Sequence, residues 1–354
     1  MNKFFCFLFV PVLFASCSSK TVQPVKNKGT RQVAVHITQA ELNSYDTEFK
    51  RVKSLGIDVV PFTSPWNMLE TNAGFDFSYL NMINVYFPPA NTKVSINITP
   101  IYAVRRALPA DLQAKAFNDP MVISRFKILL DSVHKKLAQT QINNFVVGLE
   151  VDNYLNNHSS EWNNYKSFYD SAAAYIKKLW GVGMNVGVET TWGSAAVNSK
   201  DNILSLNEHS DMMVLSYYPN QSDFTVKPPT AVHADVEAII ALYPSMPVFI
   251  IETGYQTSAS CNSSDEMQKQ FVIEMFKLWD DHADKINFMG FLWLTDISDA
   301  QVNQYVTDYA ASGFPFLNAF KGYLQTTGLR MYSGTGTDKP AYTQLNSELA
   351  SRGW

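Results

Sequence analysis

Two glutamates stand at the ends of short apolar runs that lie about a hundred residues apart. Glu150 closes the run in FVVGLEV (145–151), and Glu252 closes the run in VFIIETGY (248–255). If both runs are strands of a parallel barrel, both carboxyls rise at the carboxyl-end face, where such folds build their sites. Two carboxyls there can act as acid/base and nucleophile on a glycosidic bond. For one glutamate alone, a salt bridge or a helix cap is the simpler interpretation.

That chemistry requires the two carboxyls to differ in protonation. We expect Glu252 to be ionised, helped by a hydrogen bond from Tyr217 or Tyr218 in SYYPN (216–220). We expect Glu150 to be protonated, because a partly apolar setting and a neighbouring negative charge raise the pKa of a carboxyl. A separation of about 5–5.5 Å predicts retention through a covalent glycosyl-enzyme.

Further polar and aromatic side chains stand near predicted strand ends. Glu189 ends a strand in VGVETTW (186–192) and competes for either catalytic role. Trp293 is predicted to be the platform for the reacting sugar, with ordinary core packing as the alternative. Further stacking candidates, each weighed against packing, are Trp66, Trp192, Tyr102 and Tyr255. Arg105 and Arg106 are predicted on the same rim, either binding sugar or solvated in a loop.

The elements that must position these residues alternate between strand and helix. The eight apolar runs of strand length are Gln32–Ile37, Asp58–Phe62, Val94–Ile101, Phe145–Val151, Asn185–Thr191, Met212–Tyr218, Val248–Glu252 and Ile286–Leu294. Stretches of helical period separate them, at 46–56, 119–139, 161–180 and 265–285, with a last helix near 341–350. Strands that are apolar throughout suit a sheet buried on both faces. The pattern predicts a single-domain (β/α)8 TIM barrel over residues 31–354. A doubly wound sheet is disfavoured because no Gly-rich dinucleotide motif follows the first strand.

The first thirty residues carry a targeting pattern. MNKFFCFLFVPVLFASCSSK has one Lys, a short apolar stretch and small residues before Cys17. Residues 1–16 are predicted to be a signal peptide, and Cys17 to be lipidated, with 17–30 as a linker. Phe14 departs from the usual lipobox pattern, so ordinary signal cleavage is the alternative. We expect an exported, membrane-anchored envelope lipoprotein, periplasmic or on the outer surface.

Composition excludes several other classes. A formal net charge of −4 argues against a nucleic-acid surface. Without Cys6 and Cys17, only Cys261 remains, so no intramolecular disulfide is expected. The six His residues show no metal spacing, and no Gly-x-Ser-x-Gly elbow occurs. No metal or cofactor is expected, and a monomer is predicted.

The ordered phrases resemble those of clan A glycoside hydrolases. GIDVVPFTSPWNMLETNAGFDFSYLN (56–81) is similar to their second strand and loop, and VVGLEVDNYLN (146–156) to their acid/base segment. FIIETGY (249–255) resembles their nucleophile segment, SYYPN (216–220) their sixth-strand tyrosine motif, and FLWLTD (291–296) their eighth-strand tryptophan. The closing TGLRMYSGTGTDKPAYTQL (327–345) is similar to their product-side loop. The Ser-Tyr-Tyr-Pro and Glu-Thr-Gly-Tyr phrases look closest to endo-β-1,4-galactanases.

One departure from this resemblance concerns Leu149. The clan usually has Asn directly before the acid/base glutamate, where its amide binds the sugar's 2-hydroxyl. Hydrogen bonds to that hydroxyl contribute several kcal/mol in the transition state. Either Asn153 or Asn97 replaces this donor, or the substrate differs at C2, or the barrel binds glycan without cutting it. The resemblance implies a retaining hydrolase of β-linked glycans, with a non-catalytic glycan-binding lipoprotein as the alternative and a scaffold without a sugar site as a third.

Overall fold

The computed structural model describes residues 25–311 and 313–354, and it confirms the predicted (β/α)8 barrel. Within these residues, the barrel strands are β1 (Gln32–Val35), β2 (Val59–Pro65), β3 (Lys93–Tyr102), β4 (Ile142–Leu149), β5 in two pieces (Val186–Gly187 and Glu189–Thr191), β6 (Met213–Tyr217), β7 (Val248–Thr253) and β8 (Ile286–Phe291). Each of the eight predicted runs overlaps one of these strands. The predicted signal peptide and Cys17 lie outside the described residues.

Every hydrogen-bonded pair of barrel strands is parallel. One ladder runs β1-β8-β7-β6-β5 through the second piece of β5, and another runs β2-β3-β4-β5 through the first piece. Val188 separates the two pieces of β5, so the first piece pairs with β4 and the second pairs with β6. The remaining seam is between β1 and β2, which lie beside one another. The barrel is therefore closed around its circumference.

Alternate residues of each strand face two different cores. A buried cluster that includes Ala34, Val146, Val214 and Phe249 fills the barrel interior near its base. The intervening residues of the same strands pack against the helices in the larger core. Toward the carboxyl ends the interior positions become polar, as Asn97, Glu189 and Ser216 show. The apolar floor thus supports a layer of buried polar side chains beneath the barrel mouth.

The helices surround the strands and agree with the predicted stretches. Those of seven or more described residues are α1 (Tyr45–Ser54), α2 (Ser78–Tyr86), α3 (Pro120–Lys136), α4 (Trp162–Trp180), α5 (Lys200–Leu206), α6 (Ala231–Leu242), α7 (Asp265–Asp281), α8 (Asp299–Ala311), α9 (Leu317–Thr326) and α10 (Pro340–Arg352). Two shorter helices lie at Trp66–Leu69 and Val151–Leu155. Side-chain caps fix three starts, because Ser44, Asp119 and Ser264 accept bonds from the first-turn backbone of α1, α3 and α7. In the part of the chain that the structure describes, every helix is too short or too polar to cross a bilayer.

Helices α8 and α9 are an insertion between β8 and the last barrel helix, and the sequence patterns did not predict it. Its aromatic side chains pack on one another and on the β6–α6 loop, with Tyr309 and Phe320 rings 4.3 Å apart and Phe224 beside Phe320 at 5.2 Å. At its base, Lys339 Nζ donates to Asp296 Oδ1 at 2.7 Å and to the carbonyl oxygen of Thr326 at 3.0 Å. The α8–α9 pair is therefore fixed across the barrel mouth.

Candidate active site

The end of β4 makes a tight turn that raises Glu150 into the mouth. Gly148 has a φ of 97°, and a Cβ there would collide with the Tyr165 hydroxyl and Val151, so glycine is required. Tyr165 is held in place because its hydroxyl donates to the carbonyl oxygen of Val147 at 3.0 Å. Glu150 itself has a φ of 43°, in the left-handed region that non-glycine residues rarely adopt. Such backbone strain concentrates at functional sites.

Two donors hold the Glu150 carboxyl. Ser216 Oγ donates to Oε1 at 2.6 Å, and Asn153 Nδ2 donates to Oε2 at 2.9 Å. Burial raises the pKa of Glu150 to about 7, the two donors oppose this rise, and the nearby Asp152 adds to it. Asp152 ties the following turn to β5, since its carboxyl accepts bonds from the Thr191 amide at 2.8 Å and hydroxyl at 2.6 Å. Asn153, considered above as a donor to the sugar's 2-hydroxyl, thus donates to the Glu150 carboxyl.

Glu252 lies at the end of β7 and has one hydrogen-bond donor in the described residues. The Tyr218 hydroxyl donates to Oε2 at 3.3 Å, so of the two tyrosines proposed for this contact Tyr218 makes it. Burial raises the pKa of Glu252 to about 8, and the charge of Glu150 adds to the rise. This differs from the expectation of an ionised Glu252, because partial burial and the charge of Glu150 both favour the neutral form. The two glutamates share protons as a pair near neutral pH.

A third carboxyl lies beneath this pair. Glu189 is fully buried and lines neither of the two cavities described below, so the prediction that it competes for contact with substrate is wrong. Asn97 Nδ2 donates to its Oε2 at 3.0 Å and to the carbonyl of Gly148 at 3.2 Å, so Asn97 supports the site from below. Burial, together with the charges of Glu252 and Glu150, holds the pKa of Glu189 well above its usual value. A neutral Glu189 adds no third charge to the layer.

The first cavity, here called the Glu252 cavity, has a volume of about 620 Å³. Both catalytic candidates line it, together with Leu149, Trp293 and Tyr102. Trp293 is half-buried and follows a cis peptide bond with Leu292, in the place predicted for a sugar platform. His36 also lines this cavity and contacts the carbonyl of Ile251 at 3.1 Å, while burial lowers the pKa of His36 to about 4. The histidine is therefore neutral.

The second cavity, here called the Trp192 cavity, has a volume of about 630 Å³ and adjoins the first. Glu150 and Tyr218 line both cavities, as do Tyr309, Phe320 and Tyr323 from the α8–α9 pair. The insertion therefore borders both cavities at the place where they meet, beside Glu150.

Three of the predicted aromatic contacts are wrong. Trp66 is fully buried, its ring lies 5.0 Å from that of Phe126, and its indole N–H donates to Glu70 at 2.8 Å. Tyr255 is 1% exposed and its hydroxyl donates to the carbonyl of Lys227. Tyr217 is 0% exposed and donates to Asp235 at 3.1 Å rather than to Glu252. Each ring completes the core between strands and helices, where no sugar can reach it.

The rim arginines have separate positions. Arg105 lines the Glu252 cavity, lies 5.3 Å from the Tyr102 ring centre and forms an ion pair with Asp308 of α8 at 3.9 Å. Arg106 instead pairs with Glu161 at 3.1 Å and packs over Phe117, so it fits neither the sugar contact nor the solvated loop position considered from the sequence. Within residues 25–311 and 313–354, no cluster of three or more His, Cys, Asp or Glu side chains is arranged to hold a metal.

Several site residues were not singled out from the sequence. Ser216 begins the SYYPN motif, in which only the tyrosines were considered from the sequence. Its hydroxyl nevertheless makes the shorter of the two hydrogen bonds to Glu150. Tyr309, Phe320 and Tyr323 lie in a segment to which no element was assigned. The density of aromatic residues between 305 and 323, spaced at helical intervals, was the available signal.

Comparisons with known proteins bear on the fold. No family model matches the sequence, and no curated protein matches it. Among solved structures, the chain is similar to an exo-β-1,4-mannosidase from Opitutaceae bacterium strain TAV5, with 13% identity, a TM-score of 0.67, and coverage of 91% of this chain and 59% of that one. A GH5_18 protein from Bifidobacterium longum subsp. longum gives 14% identity and a TM-score of 0.64, over 91% of this chain and 79% of that one.

A third similar structure is a GH5_18 protein from Streptomyces cattleya in complex with GlcNAc, with 13% identity and a TM-score of 0.65, over 92% of this chain and 80% of that one. The chain thus spans less than two thirds of the mannosidase and most of the other two. At these identities the similarity shows that the chain has the barrel fold of these proteins.

Proposed function

We propose that the protein is a retaining glycoside hydrolase that acts on a β-linked glycan, with Glu150 as acid/base and Glu252 as nucleophile. The observation that carries the proposal is the pair itself. Two half-buried carboxyls from the ends of β4 and β7 line one cavity, and the charge of Glu150 raises the pKa of Glu252. Without substrate the pKa of Glu252, about 8, lies above that of Glu150, about 7. In the proposed mechanism the bound substrate therefore leaves the single proton of the pair on Glu150, the acid, and Glu252 ionised as the nucleophile.

The assignment of roles follows from what each carboxyl faces. Glu150 lines both cavities, whereas Glu252 lines the Glu252 cavity alone. An acid/base must reach the oxygen between two sugars, and a nucleophile must reach the anomeric carbon of one. Trp293 and Tyr102 supply flat faces for that sugar.

The substrate class rests on the fold neighbours and on the motif phrases. One neighbour is described as an exo-β-1,4-mannosidase and another as a β-glucosidase. A panel of β-mannan, β-glucan, β-1,4-galactan and matching aryl β-glycosides therefore tests the proposal, and β-1,4-galactan tests the narrower likeness to galactanases. Wild-type residues 18–354 should release reducing sugar from at least one. The Glu252→Gln variant should bind the same glycan and release less than about a tenth as much, because an amide cannot act as nucleophile.

The second candidate function is glycan binding without cleavage, and Leu149 favours it. Leu149 directly precedes the proposed acid/base Glu150 and lines the Glu252 cavity, where its 8% exposed side chain has no hydrogen-bond donor for a sugar hydroxyl. The two donors offered as substitutes are engaged with Glu150 and Glu189. Binding by the wild type with no release from any substrate in the panel would establish this candidate.

The anchor remains a separate proposal. Replacing Cys17 by Ser should abolish labelling with a radioactive fatty acid and move the protein from the membrane fraction to the soluble exported fraction, because stable anchoring takes two acyl chains. A variant that still sediments with membranes after a salt wash would contradict lipidation at this residue.

A further inference from the structure

The Trp192 cavity is reached by only one of the two proposed catalytic carboxyls. Glu150 lines it with both donors of that carboxyl, Ser216 and Asn153, while Glu252 does not. During cleavage the nucleophile attacks the sugar that stays, and the acid protonates the oxygen of the sugar that leaves. The Glu252 cavity then holds the retained sugar, and the space beyond Glu150 is on the leaving side.

The described lining of the Trp192 cavity has almost no charge. Apart from Glu150, none of its lining residues in the described ranges is Asp, Glu, Lys, Arg or His. Five side-chain amides line it instead, at Asn153, Asn157, Asn198, Asn220 and Gln221. Amides offer both donors and acceptors, which match the hydroxyl and acetamido groups of sugars. The Glu252 cavity differs, since Arg105 and Asp308 lie on its rim.

Trp192 gives this cavity a fixed flat wall. Its indole N–H donates to the carbonyl of Asp235 at 2.6 Å, and the ring meets Tyr217 edge-on at 6.1 Å. Lys227 Nζ lies 4.3 Å from the ring centre, and its charge is balanced by Asp235 at 2.9 Å. The ring is therefore held before any ligand binds, as a stacking platform needs.

We propose that the Trp192 cavity binds the leaving side of the substrate and accepts an uncharged sugar, stacked on Trp192 and bonded by the surrounding amides. This inference rests on the proposed function, which it extends to the leaving group. A uronic acid would place a carboxylate beside Glu150 with no cation in the described lining, and an unpaired buried charge is costly. Neutral hexoses and N-acetylhexosamines meet no such cost.

Acceptor kinetics test the inference. The substrate is a 2,4-dinitrophenyl β-glycoside of the sugar that the wild type accepts. Its dinitrophenolate leaves without needing a proton, so turnover is limited by the later attack on the glycosyl-enzyme. Glucose or N-acetylglucosamine in the Trp192 cavity should replace water in that attack and raise dinitrophenol release in a saturable way. Glucuronic acid should not. Trp192→Ala should raise the half-saturating concentration of the neutral acceptors about tenfold.

Two further variants sharpen the test. Gln221→Lys adds a cation to the exposed end of the cavity and should allow glucuronic acid to act as an acceptor. Val197→Ala is the control, because Val197 lies in the short helical segment Ser194–Asn198 after Trp192 but is 68% exposed and outside the lining. Its kinetics should match the wild type. Acceptance of glucuronic acid by the wild type as readily as glucose, or an unchanged half-saturating concentration in Trp192→Ala, would overturn the inference.

Failure of the proposed function leaves a separate measurement. If the wild type cleaves no aryl glycoside, saturation-transfer NMR with glucose, N-acetylglucosamine and glucuronic acid reports binding directly. Binding of the neutral sugars that is lost in Trp192→Ala supports the assignment of the cavity, although the enzyme proposal fails. Preferential binding of glucuronic acid, or no binding of any of the three sugars, refutes the assignment.

Discussion

Glu252→Gln should stabilise the protein, and the gain should depend on pH. The folded structure raises the pKa of Glu252 from 4.5 to about 8, because burial and the charge of Glu150 favour the neutral form. In the unfolded chain the same carboxyl ionises near its ordinary value. Between these two values the folded state therefore binds a proton that the unfolded state has released.

The sign and size of the effect follow from this difference. The contribution of protonated Glu252 is fully present below the unfolded pKa and is lost as the pH rises through the folded pKa. At about 1.4 kcal/mol for each pKa unit, the change from 4.5 to about 8 corresponds to at most about 5 kcal/mol. Glutamine does not titrate, so the variant escapes this loss. The gain should be small near pH 4.5 and approach its limit above pH 8.

Urea unfolding measures this gain directly. Wild type and Glu252→Gln are compared at about pH 5 and about pH 9, and the shift in midpoint is converted with the slope of each transition. Asp284→Asn is the control, because an exposed carboxylate should change the free energy of unfolding by no more than about 0.5 kcal/mol. A gain that is equal at the two pH values, or larger at the lower one, would refute the reasoning.

Three predictions concern catalysis. Glu150→Ala should slow cleavage of natural glycans by about 10²–10⁴, yet slow dinitrophenyl glycosides far less at the first step, with azide restoring turnover. Equal losses without rescue would exclude the acid/base role. Leu149→Asn should raise kcat on hexose substrates if the missing 2-hydroxyl contact limits the wild type. The restored contact stabilises the transition state by up to several kcal/mol. Ser216→Ala removes a donor to ionised Glu150, so the alkaline limb of the kcat/KM profile should rise by about one pKa unit.

The barrel could be predicted from the sequence because its signals are local and repeated. Each strand is an apolar run between helical stretches, so the eight runs were found although the ends differ by a few residues. Glu150 and Glu252 could be singled out for the same reason, since parallel strands bring their carboxyl ends to one face whatever the loops do.

The surroundings of the two glutamates could not be predicted in this way. Trp66 and Tyr255 stand near strand ends as a sugar platform would, but which way a ring points depends on the packing of distant helices. The α8–α9 pair was not predicted because the expected pattern pairs each strand with a helix that packs on it, whereas this pair lies over the barrel mouth. The raised pKa of Glu252 has the same kind of origin, because it depends on burial and on the charge of Glu150, a residue about a hundred positions away in the chain.

The two ends of the α8–α9 insertion are joined by a single ammonium group. Lys339 binds Asp296 just before the insertion and the carbonyl of Thr326 at its end. These contacts hold the two ends of the insertion together. The entropic cost of closing a chain segment between two fixed ends changes only slowly with the length of the segment. The closing contact at Lys339 therefore lies outside the segment that covers the barrel mouth. The residues that cover the mouth and the residues that close the barrel are thus separate parts of this chain.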